Sequence, residues 1–274
     1  MTILSKQKIK RIIARVIKII GFPGNQVLPV ILNYHSIHPF HKSSIRPEDF
    51  LNQMEYIASN FKVVVINELL KIRSSAIHQR NKVAVITLDD GYEDNYLYAF
   101  PTLKKLGLNA TVFLTTGFIN GEVDIANKYQ LYNGLKPLTW QQILTMRDSG
   151  IITFGSHTHT HPLLSKCPLE EVKSEISRSK NILEDKLRVQ IDAFAYPFGQ
   201  SYTFNPKIIE VLKFYGFKSA CSTIWGRVKN ETDSFALPRI WIDPQDTIAD
   251  FKDKVNGRWD FIKWIKAVKS IGKG

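Results

Sequence analysis

Residues 83–91 read VAVITLDDG, an apolar β-type run that ends in two adjacent carboxylates and a glycine. Residues 151–162 read IITFGSHTHTHP, in which a second apolar run is followed by His157 and His161, four residues apart. Taken alone, the Asp-Asp-Gly could be an ordinary strand-to-loop turn, because Asp and Gly favour turns. Together, at the ends of two predicted strands, the two stretches predict a mononuclear metal site with a spare carboxylate beside it.

Short β-type runs alternate with helical patterns along the middle of the chain. The predicted strands are Val27–Tyr34, Val63–Ile66, Val83–Leu88, Ala110–Leu114, Ile151–Phe154, Ala193–Tyr196, Phe217–Ser222 and Phe235–Ile242. The predicted helices are Pro47–Asn60, Glu68–Ile77, Asn95–Leu106, Trp140–Ser149, Pro168–Leu187 and Pro206–Tyr215, with a loop over residues 117–138. This alternation predicts an α/β protein with a parallel sheet, either a barrel or doubly wound. The candidate functional residues follow strand carboxyl ends, which form the functional face of a barrel.

The composition is that of an ordinary globular protein. The chain has 274 residues, of which 44% are hydrophobic and 23% charged, and these values argue against disorder. The two cysteines, Cys167 and Cys221, lack metal-type spacing and are expected to pack in the core. No run of 18 apolar residues occurs, so we expect no transmembrane helix.

The net charge of +12 is concentrated at the two ends of the chain. The region between them is close to neutral, so we expect no nucleic-acid partner. Residues 1–21 and 257–274 each carry apolar residues at helical spacing opposite a basic face, which predicts basic amphipathic helices flanking one domain at 22–256. Such helices can pack on the body or lie in an anionic membrane interface. Arg11, Arg15 and Lys18 interrupt the first apolar pattern, so no cleavable signal peptide is evident.

Two imidazoles and one carboxylate make a three-ligand site with room for a water molecule. Neutral imidazoles suit Zn²⁺, Co²⁺ or Ni²⁺, and Zn²⁺ is the metal we expect. Asp89 and Asp90 are adjacent and project differently, so one can bind the metal while the other takes a proton from the attacking water. His159, between the two outer histidines, is expected to point elsewhere.

These motifs resemble those of the polysaccharide deacetylases, the NodB-homology enzymes of carbohydrate esterase family 4, over roughly residues 28–243. The resemblance implies a distorted (β/α)7 barrel and metal-dependent removal of N-acetyl groups from amino sugars. It also implies that Asp89 is the catalytic base and that Asp90, His157 and His161 hold the metal.

A third stretch, AYPFG at residues 195–199, is similar to a further motif of that family. The resemblance implies that the Phe198 backbone N–H meets the oxyanion, with Tyr196 and Pro197 beside it at the substrate. The family motif often carries an Arg that holds the catalytic Asp, and this chain has no Arg there. Arg239, in a late predicted strand, is our candidate replacement, and a surface salt bridge is the alternative.

The position of the general acid also departs from the usual family order. A late histidine commonly fills this role, but no histidine follows His161. A circularly shifted branch, which includes the poly-N-acetylglucosamine deacetylases, has a Tyr-His pair at an early strand instead. The pair Tyr34-His35 resembles it, which implies that His35 is the acid. The alternative is a buried histidine at a strand end.

The sequence therefore predicts a metal-dependent enzyme that removes N-acetyl groups from an amino sugar in a polysaccharide or lipid-linked glycan. An O-acetyl esterase or a non-sugar amide hydrolase on the same scaffold is an alternative, as is an inactive carbohydrate-binding protein. The basic ends predict contact with an anionic membrane surface and a location in the cytoplasm or peripheral on the cytoplasmic membrane.

Overall fold

The computed structural model describes residues 28–72, 82–130 and 132–261. The strands are β1 (Val30–Tyr34), β2 (Lys62–Val63), β3 (Val83–Leu88), β4 (Ala110–Leu114), β5 (Ile152–Ser156), β6 (Ala193–Ala195), β7 (Ser219–Cys221) and β8 (Ile240–Trp241). The α-helices are α1 (Pro47–Asn60), α2 (Ile66–Ile72), α3 (Phe100–Leu106), α4 (Thr116–Ile119), α5 (Ile125–Lys128), α6 (Trp140–Asp148), α7 (Leu169–Leu187), α8 (Pro206–Phe214) and α9 (Ile248–Val255). A π-helical segment, Asn95–Ala99, leads into α3, and a 3-10 turn spans Leu164–Lys166.

The strands form one parallel sheet in the order β7-β6-β5-β4-β3-β1-β8, with β2 paired to β3 off this path. The two ends of the path approach each other, because Cys221 in β7 bridges to Leu237, which lies just before β8. The sheet therefore curls around an enclosed interior, with helices outside it. This arrangement confirms the predicted (β/α) barrel fold.

The two faces of the curled sheet bury different sets of side chains. One buried cluster takes alternate strand residues, including Ile31, Val83, Val85, Phe113, Ala193, Ala195, Cys221 and Leu237. The intervening residues, such as Leu32, Ile86 and Val112, pack with residues of the helices. Since successive side chains in a strand alternate between faces, the first set lines the barrel interior. Asn33, Thr87 and Asp89 continue that set, so the apolar interior gives way to polar groups at the carboxyl ends.

The predicted element boundaries agree with the structure for α1, β3 and β4. Thr139 forms a full capping box with Gln142 at the start of α6. The predicted strand Val63–Ile66 is wrong in its second half, since Ile66 begins α2. The predicted strand Phe235–Ile242 is reduced to β8 plus the bridge at Leu237, because the intervening Pro238 has no N–H to pair.

Other differences concern short or capped helices. The predicted loop 117–138 contains α5 and the end of α4, and the predicted helix at Asn95 begins with π-type hydrogen bonding. Helix α9 was not predicted, although Thr247 and Asp250 form a capping box at its start. A Thr-x-x-Asp pattern before apolar residues is a recognisable helix start, so this signal was available in the sequence.

The two predicted terminal helices fall largely outside the described residues. Residues 257–261 form turns. The remainder of the predicted helix at 257–274, the whole of the predicted helix at 1–21, and the end of the predicted helix Glu68–Ile77 lie outside them. Across the described ranges, every helix is too short or too polar to cross a bilayer.

Candidate active site

The chain turns sharply where β3 ends, and this turn brings both aspartates to one place. Asp89 belongs to the inward-facing set of β3, and alternation alone would direct Asp90 to the opposite face. Instead Asp90 has φ 77° and Gly91 has φ 85°. A Cβ on Gly91 would lie 2.7 Å from a methyl carbon of Leu114, so both the positive φ and the close approach favour glycine here. The left-handed turn redirects Asp90 toward the histidines that follow β5.

Asp90, His157 and His161 form a compact group of three buried side chains. Their potential ligand atoms all lie within 4.8 Å of one another. Asp90 Oδ1 is 3.4 Å from His157 Nε2 and 3.6 Å from His161 Nε2. Thr158 and His161 both have positive φ, of 66° and 58°, and this backbone path returns the second histidine to the first.

The two histidines are held in different ways. His157 Nδ1 lies 2.8 Å from the carbonyl oxygen of Ala195, so a proton on Nδ1 leaves the Nε2 lone pair, on the side of the ring that faces Asp90, free to bind a metal. His161 packs edge-on against the rings of Tyr129 and Phe198, at centroid distances of 5.2 and 5.0 Å. Burial, together with smaller effects of His157 and His35, lowers the pKa of His161 to about 3, so its imidazole is neutral at physiological pH.

A divalent metal fits this group. The carboxylate oxygen Asp90 Oδ1 is buried and has no hydrogen-bond partner among the described residues. An unpartnered buried carboxylate oxygen is energetically costly unless a cation or donor meets it. One oxygen and two imidazole nitrogens form a donor set that suits Zn²⁺ or neighbouring transition metals.

Asp89 is held by hydrogen bonds from Arg239 and Asn33. Arg239 contacts both carboxylate oxygens, from Nη1 to Oδ1 at 2.7 Å and from Nη2 to Oδ2 at 2.7 Å. Asn33 Nδ2 donates to Oδ2 at 2.9 Å. Arg239 is itself fixed by donating from Nε to the Ser222 carbonyl and from Nη1 to Thr87 Oγ1. Arg239 is therefore a buried partner of Asp89 rather than a surface ion pair.

Burial alone would raise the pKa of Asp89, but the charge and hydrogen bonds of Arg239, with smaller contributions from His157 and His35, hold it below its usual range. The pKa of Asp90 is likewise low, because the close contacts with His157, His161 and His35 outweigh the effect of burial. Both carboxyl groups are thus ionised at neutral pH.

His35 lies beside Asp89 at the open side of the site. Its Nε2 is 4.0 Å from Asp89 Oδ2, and its side chain is 23% exposed. The ring stacks on Tyr132 at a centroid distance of 6.0 Å, and Asn95 Nδ2 donates to the His35 carbonyl at 2.8 Å. The structure therefore brings the early strand end to the two aspartates, as the resemblance implied.

The segment 195–199 separates into an exposed and a buried part. Phe198 is 39% exposed and has φ 61°, and among the described residues no oxygen accepts a hydrogen bond from its backbone N–H. Pro197 is buried and its carbonyl accepts from Gly199 N. Tyr196 is fully buried, stacks on Phe204 and donates its hydroxyl to the Phe235 carbonyl. The Tyr196 side chain thus serves packing, and Phe198 is the residue of this segment that borders the site, with its ring against His161 and its backbone N–H unpaired among the described residues.

Sequence reasoning missed several residues that build the site. Asn33 touches Asp89, and its signal was a polar residue within the otherwise apolar strand β1. Tyr129 packs on His161 and donates to its carbonyl at 2.7 Å, but it lies in a stretch predicted to be a loop. His159 was correctly expected to point elsewhere: its ring nitrogens contact Thr116 and Glu122.

Comparison with known proteins shows which family this chain is similar to. The family model for polysaccharide deacetylases matches residues 76–220. The protein YxkH of Bacillus subtilis is 27% identical over 218 residues, covering 79% of this chain and 72% of YxkH. The poly-beta-1,6-N-acetyl-D-glucosamine N-deacetylase of Staphylococcus epidermidis is 26% identical over 208 residues, covering 73% of this chain and 68% of that protein.

A solved structure shows the same fold. The Streptococcus pyogenes deacetylase PplD in complex with acetate has a TM-score of 0.72 at 24% identity, covering 83% of this chain and 98% of that chain. Because the family model spans more than half of the sequence, the chain belongs to the polysaccharide deacetylase family. The predicted family and enzyme class are therefore confirmed.

Proposed function

We propose that this protein hydrolyses the N-acetyl group of an amino sugar within a glycan, releasing acetate. The observation that carries the proposal is the joint placement of three units at one barrel end. Asp89 is ionised and held by Arg239, His35 Nε2 lies 4.0 Å from its Oδ2, and the next residue, Asp90, groups with His157 and His161. Base, acid and metal ligands thus stand within reach of one small acyl group.

Each residue takes one role in the proposed reaction. A divalent metal held by Asp90, His157 and His161, with Zn²⁺ the preferred ion, would acidify a water molecule and polarise the acetyl carbonyl. Asp89 accepts a proton from water as the water oxygen attacks the carbonyl carbon. The free backbone N–H of Phe198 donates to the oxygen that becomes negative.

The tetrahedral species then collapses and the carbon–nitrogen bond breaks. His35, protonated at Nε2, donates its proton to the leaving nitrogen, so the products are acetate and a free amine. The 23% exposure of the His35 side chain supports this role, since a group that meets the leaving sugar must be reached from solvent.

A polymeric amino sugar is the substrate class we favour. The support is the likeness to the Staphylococcus epidermidis protein, whose name states N-deacetylation of poly-beta-1,6-N-acetyl-D-glucosamine. The exposed rings of Phe198 and Tyr129, at 39% and 37% exposure, lie beside the metal group and offer an apolar surface on which a sugar ring can stack.

Acetate release measured on a substrate panel tests this function. The panel holds free N-acetylglucosamine, its β-1,6-linked oligomers, a lipid-linked N-acetyl sugar and an O-acetylated sugar, each incubated with Zn²⁺- or Co²⁺-loaded protein. We expect amide cleavage on the oligomers and its loss in Asp89→Asn, with Asp185→Asn on the exposed face of α7 as the matched control. Preferential release from the O-acetyl sugar would favour the esterase alternative, and no release from any substrate would favour a binding protein.

We further infer that the protein works at the cytoplasmic face of a membrane. The support is sequence alone: residues 1–21 carry six basic residues and no acid, with isoleucines at helical spacing. Flotation with phosphatidylcholine vesicles, with and without phosphatidylglycerol, tests this inference. We expect binding only to the anionic vesicles, weakened by salt and by deletion of residues 1–21. Failure of the full chain to float would overturn it.

A further inference from the structure

The loop between the two metal-binding histidines is anchored from outside the barrel. Helix α7 packs behind this loop, and its residues Glu175 and Ser179 lie four positions apart, on one helix face. Ser179 Oγ lies 2.5 Å from Ser156 Oγ at the end of β5. Glu175 is buried, with 8% exposure, although an isolated buried carboxylate is unfavourable.

Glu175 uses both carboxylate oxygens on two consecutive residues of the loop. Its Oε2 accepts hydrogen bonds from the backbone N–H of His159 at 2.8 Å and of Thr160 at 2.7 Å. Its Oε1 accepts from Thr160 Oγ1 at 2.7 Å. Hydrogen bonds to an ionised carboxylate are stronger than those between neutral groups.

The loop needs such an anchor because its backbone path is unfavourable. Thr158 and His161 flank the anchored residues, and both have positive φ. Non-glycine residues adopt this region only when the surrounding structure enforces it. On the opposite side, the carbonyl groups of Thr158 and His159 accept from the N–H groups of Thr116 and Gly117. The peptide units between the histidines are thus held by hydrogen bonds on two sides, and Glu175 forms those on one side.

We propose that Glu175 is a positioning residue for the metal site, which holds the 158–161 loop so that His157 and His161 converge with Asp90. It touches no predicted metal ligand through its side chain. Loss of Glu175 should therefore weaken metal binding, and Glu175 itself takes no direct part in the reaction. The inference rests on the proposed function only in requiring that the Asp90, His157 and His161 group binds a divalent metal.

Titration of metal-free protein with Co²⁺ alone tests this role, read by its visible absorption and by competition with a chelator. Loss of outer-shell support commonly weakens metal binding by about 10–100-fold, and we expect Glu175→Ala to fall in that range. Glu170→Ala is the matched control, since it removes the same charge from an exposed site on the same helix and should bind as the wild type.

A conservative variant separates positioning from charge. In Glu175→Gln the amide oxygen can accept both N–H bonds, and the amide NH₂ can donate to the Thr160 hydroxyl, so affinity should stay within about threefold of the wild type. A Gln variant as weak as the Ala variant would contradict positioning by hydrogen-bond geometry.

Thermal unfolding of the metal-free variants shows whether the loss is merely structural. If Glu175→Ala lowers the Tm but binds Co²⁺ within twofold of the wild type while folded, the proposal is overturned.

If Glu175→Ala does not fold, the variant Thr160→Val provides the test, since it removes only the hydroxyl that donates to Glu175 Oε1. We expect weaker Co²⁺ binding by about threefold, from one lost charge-assisted bond, and unchanged binding overturns the proposal. Failure of the wild-type protein to bind Co²⁺ would instead contradict the proposed metal site itself.

Discussion

Asp89 accepts hydrogen bonds from Arg239 and Asn33, whereas its neighbour Asp90 faces the imidazoles of His157 and His161. The Asp89 side of the site is built from β1, β3 and the segment before β8, and charged hydrogen bonds use both of its carboxylate oxygens. The Asp90 side is built from the turn after β3 and the loop after β5, and it leaves Asp90 Oδ1 without a partner among the described residues.

Under the proposed mechanism, this difference gives one residue type two functions at consecutive positions. A carboxylate whose two oxygens are held by a guanidinium is kept ionised and fixed in direction, which suits a base that receives one proton. A carboxylate with an unmet oxygen beside two imidazoles suits a cation. We therefore assign the base to the Asp89 side and the metal to the Asp90 side, and the following experiments test that division.

The largest effect is expected from Asp89→Asn. The amide keeps the shape of the side chain but cannot accept a proton, so turnover should fall by about 10²–10⁴-fold, the usual contribution of a general base. Acetate release under saturating metal measures it. Turnover within a few-fold of the wild type would remove Asp89 from the base role.

His35→Gln should reduce turnover by about 10²-fold at neutral pH, because the leaving nitrogen loses its proton donor. A substrate analogue whose leaving group needs no proton separates this role from binding. On an activated acyl substrate with a phenolate leaving group, the variant should act nearly as the wild type does. An equal loss on both substrates would make His35 a structural residue instead.

Arg239→Met should affect both stability and pH dependence. Removing one partner of a buried ion pair commonly destabilises by about 3–5 kcal/mol, which urea unfolding of the metal-free protein measures. The Arg239 pair holds the pKa of Asp89 below its usual range, so the pair stabilises the fold at neutral pH and loses this effect only as the pH falls through that low pKa.

Arg239→Met should also shift the acid limb of the pH profile of kcat/KM. Without the guanidinium, burial raises the pKa of Asp89, so the limb should shift to higher pH than in the wild type. Arg239→Lys keeps a charge but loses the two-pronged contact and should shift it less. An unmoved acid limb in Arg239→Met would show that Asp89 does not set it.

The smallest effect is expected from Asn33→Ala. It removes one hydrogen bond to Asp89 Oδ2 and leaves the Arg239 contacts in place. A single hydrogen bond to a charged group contributes about 1.5–3 kcal/mol, and part of this should appear as a roughly tenfold loss in turnover. Metal affinity should be unchanged, since Asn33 lies on the Asp89 side. Weakened metal binding in Asn33→Ala would contradict the separation of the Asp89 side from the metal-binding side.

The sequence was most informative where one short stretch specifies both an element and its end. The apolar run into Asp89 and Asp90 predicted β3 to the residue, and the spacing of His157 and His161 predicted a metal group that the structure brings within 4.8 Å. The partner of Asp89 was harder to foresee, because Arg239 lies 150 positions away and the barrel must curl to bring it there. Its candidacy came from a missing family residue rather than from any local pattern.

The support behind the metal loop could not be predicted from spacing. Glu175 looks like any charged residue of a long surface helix, and its burial depends on how α7 packs against β5. Tyr129 was missed for a related reason, since the short helix α5 that precedes it has no clear periodicity. Tyr196 was placed at the substrate by motif position, yet strand alternation sends its ring to the helix-packed face with Phe204.

The division between Asp89 and Asp90 is tested most directly by titrating Asp89→Asn and Asp90→Asn side by side with Co²⁺. We predict that Asp89→Asn binds Co²⁺ within a few-fold of the wild type, with the same visible absorption. Asp90→Asn should bind about 100-fold more weakly, or not at all, because it loses a charged ligand. Weakened binding in Asp89→Asn together with near-normal binding in Asp90→Asn would reverse the assignment and contradict the account.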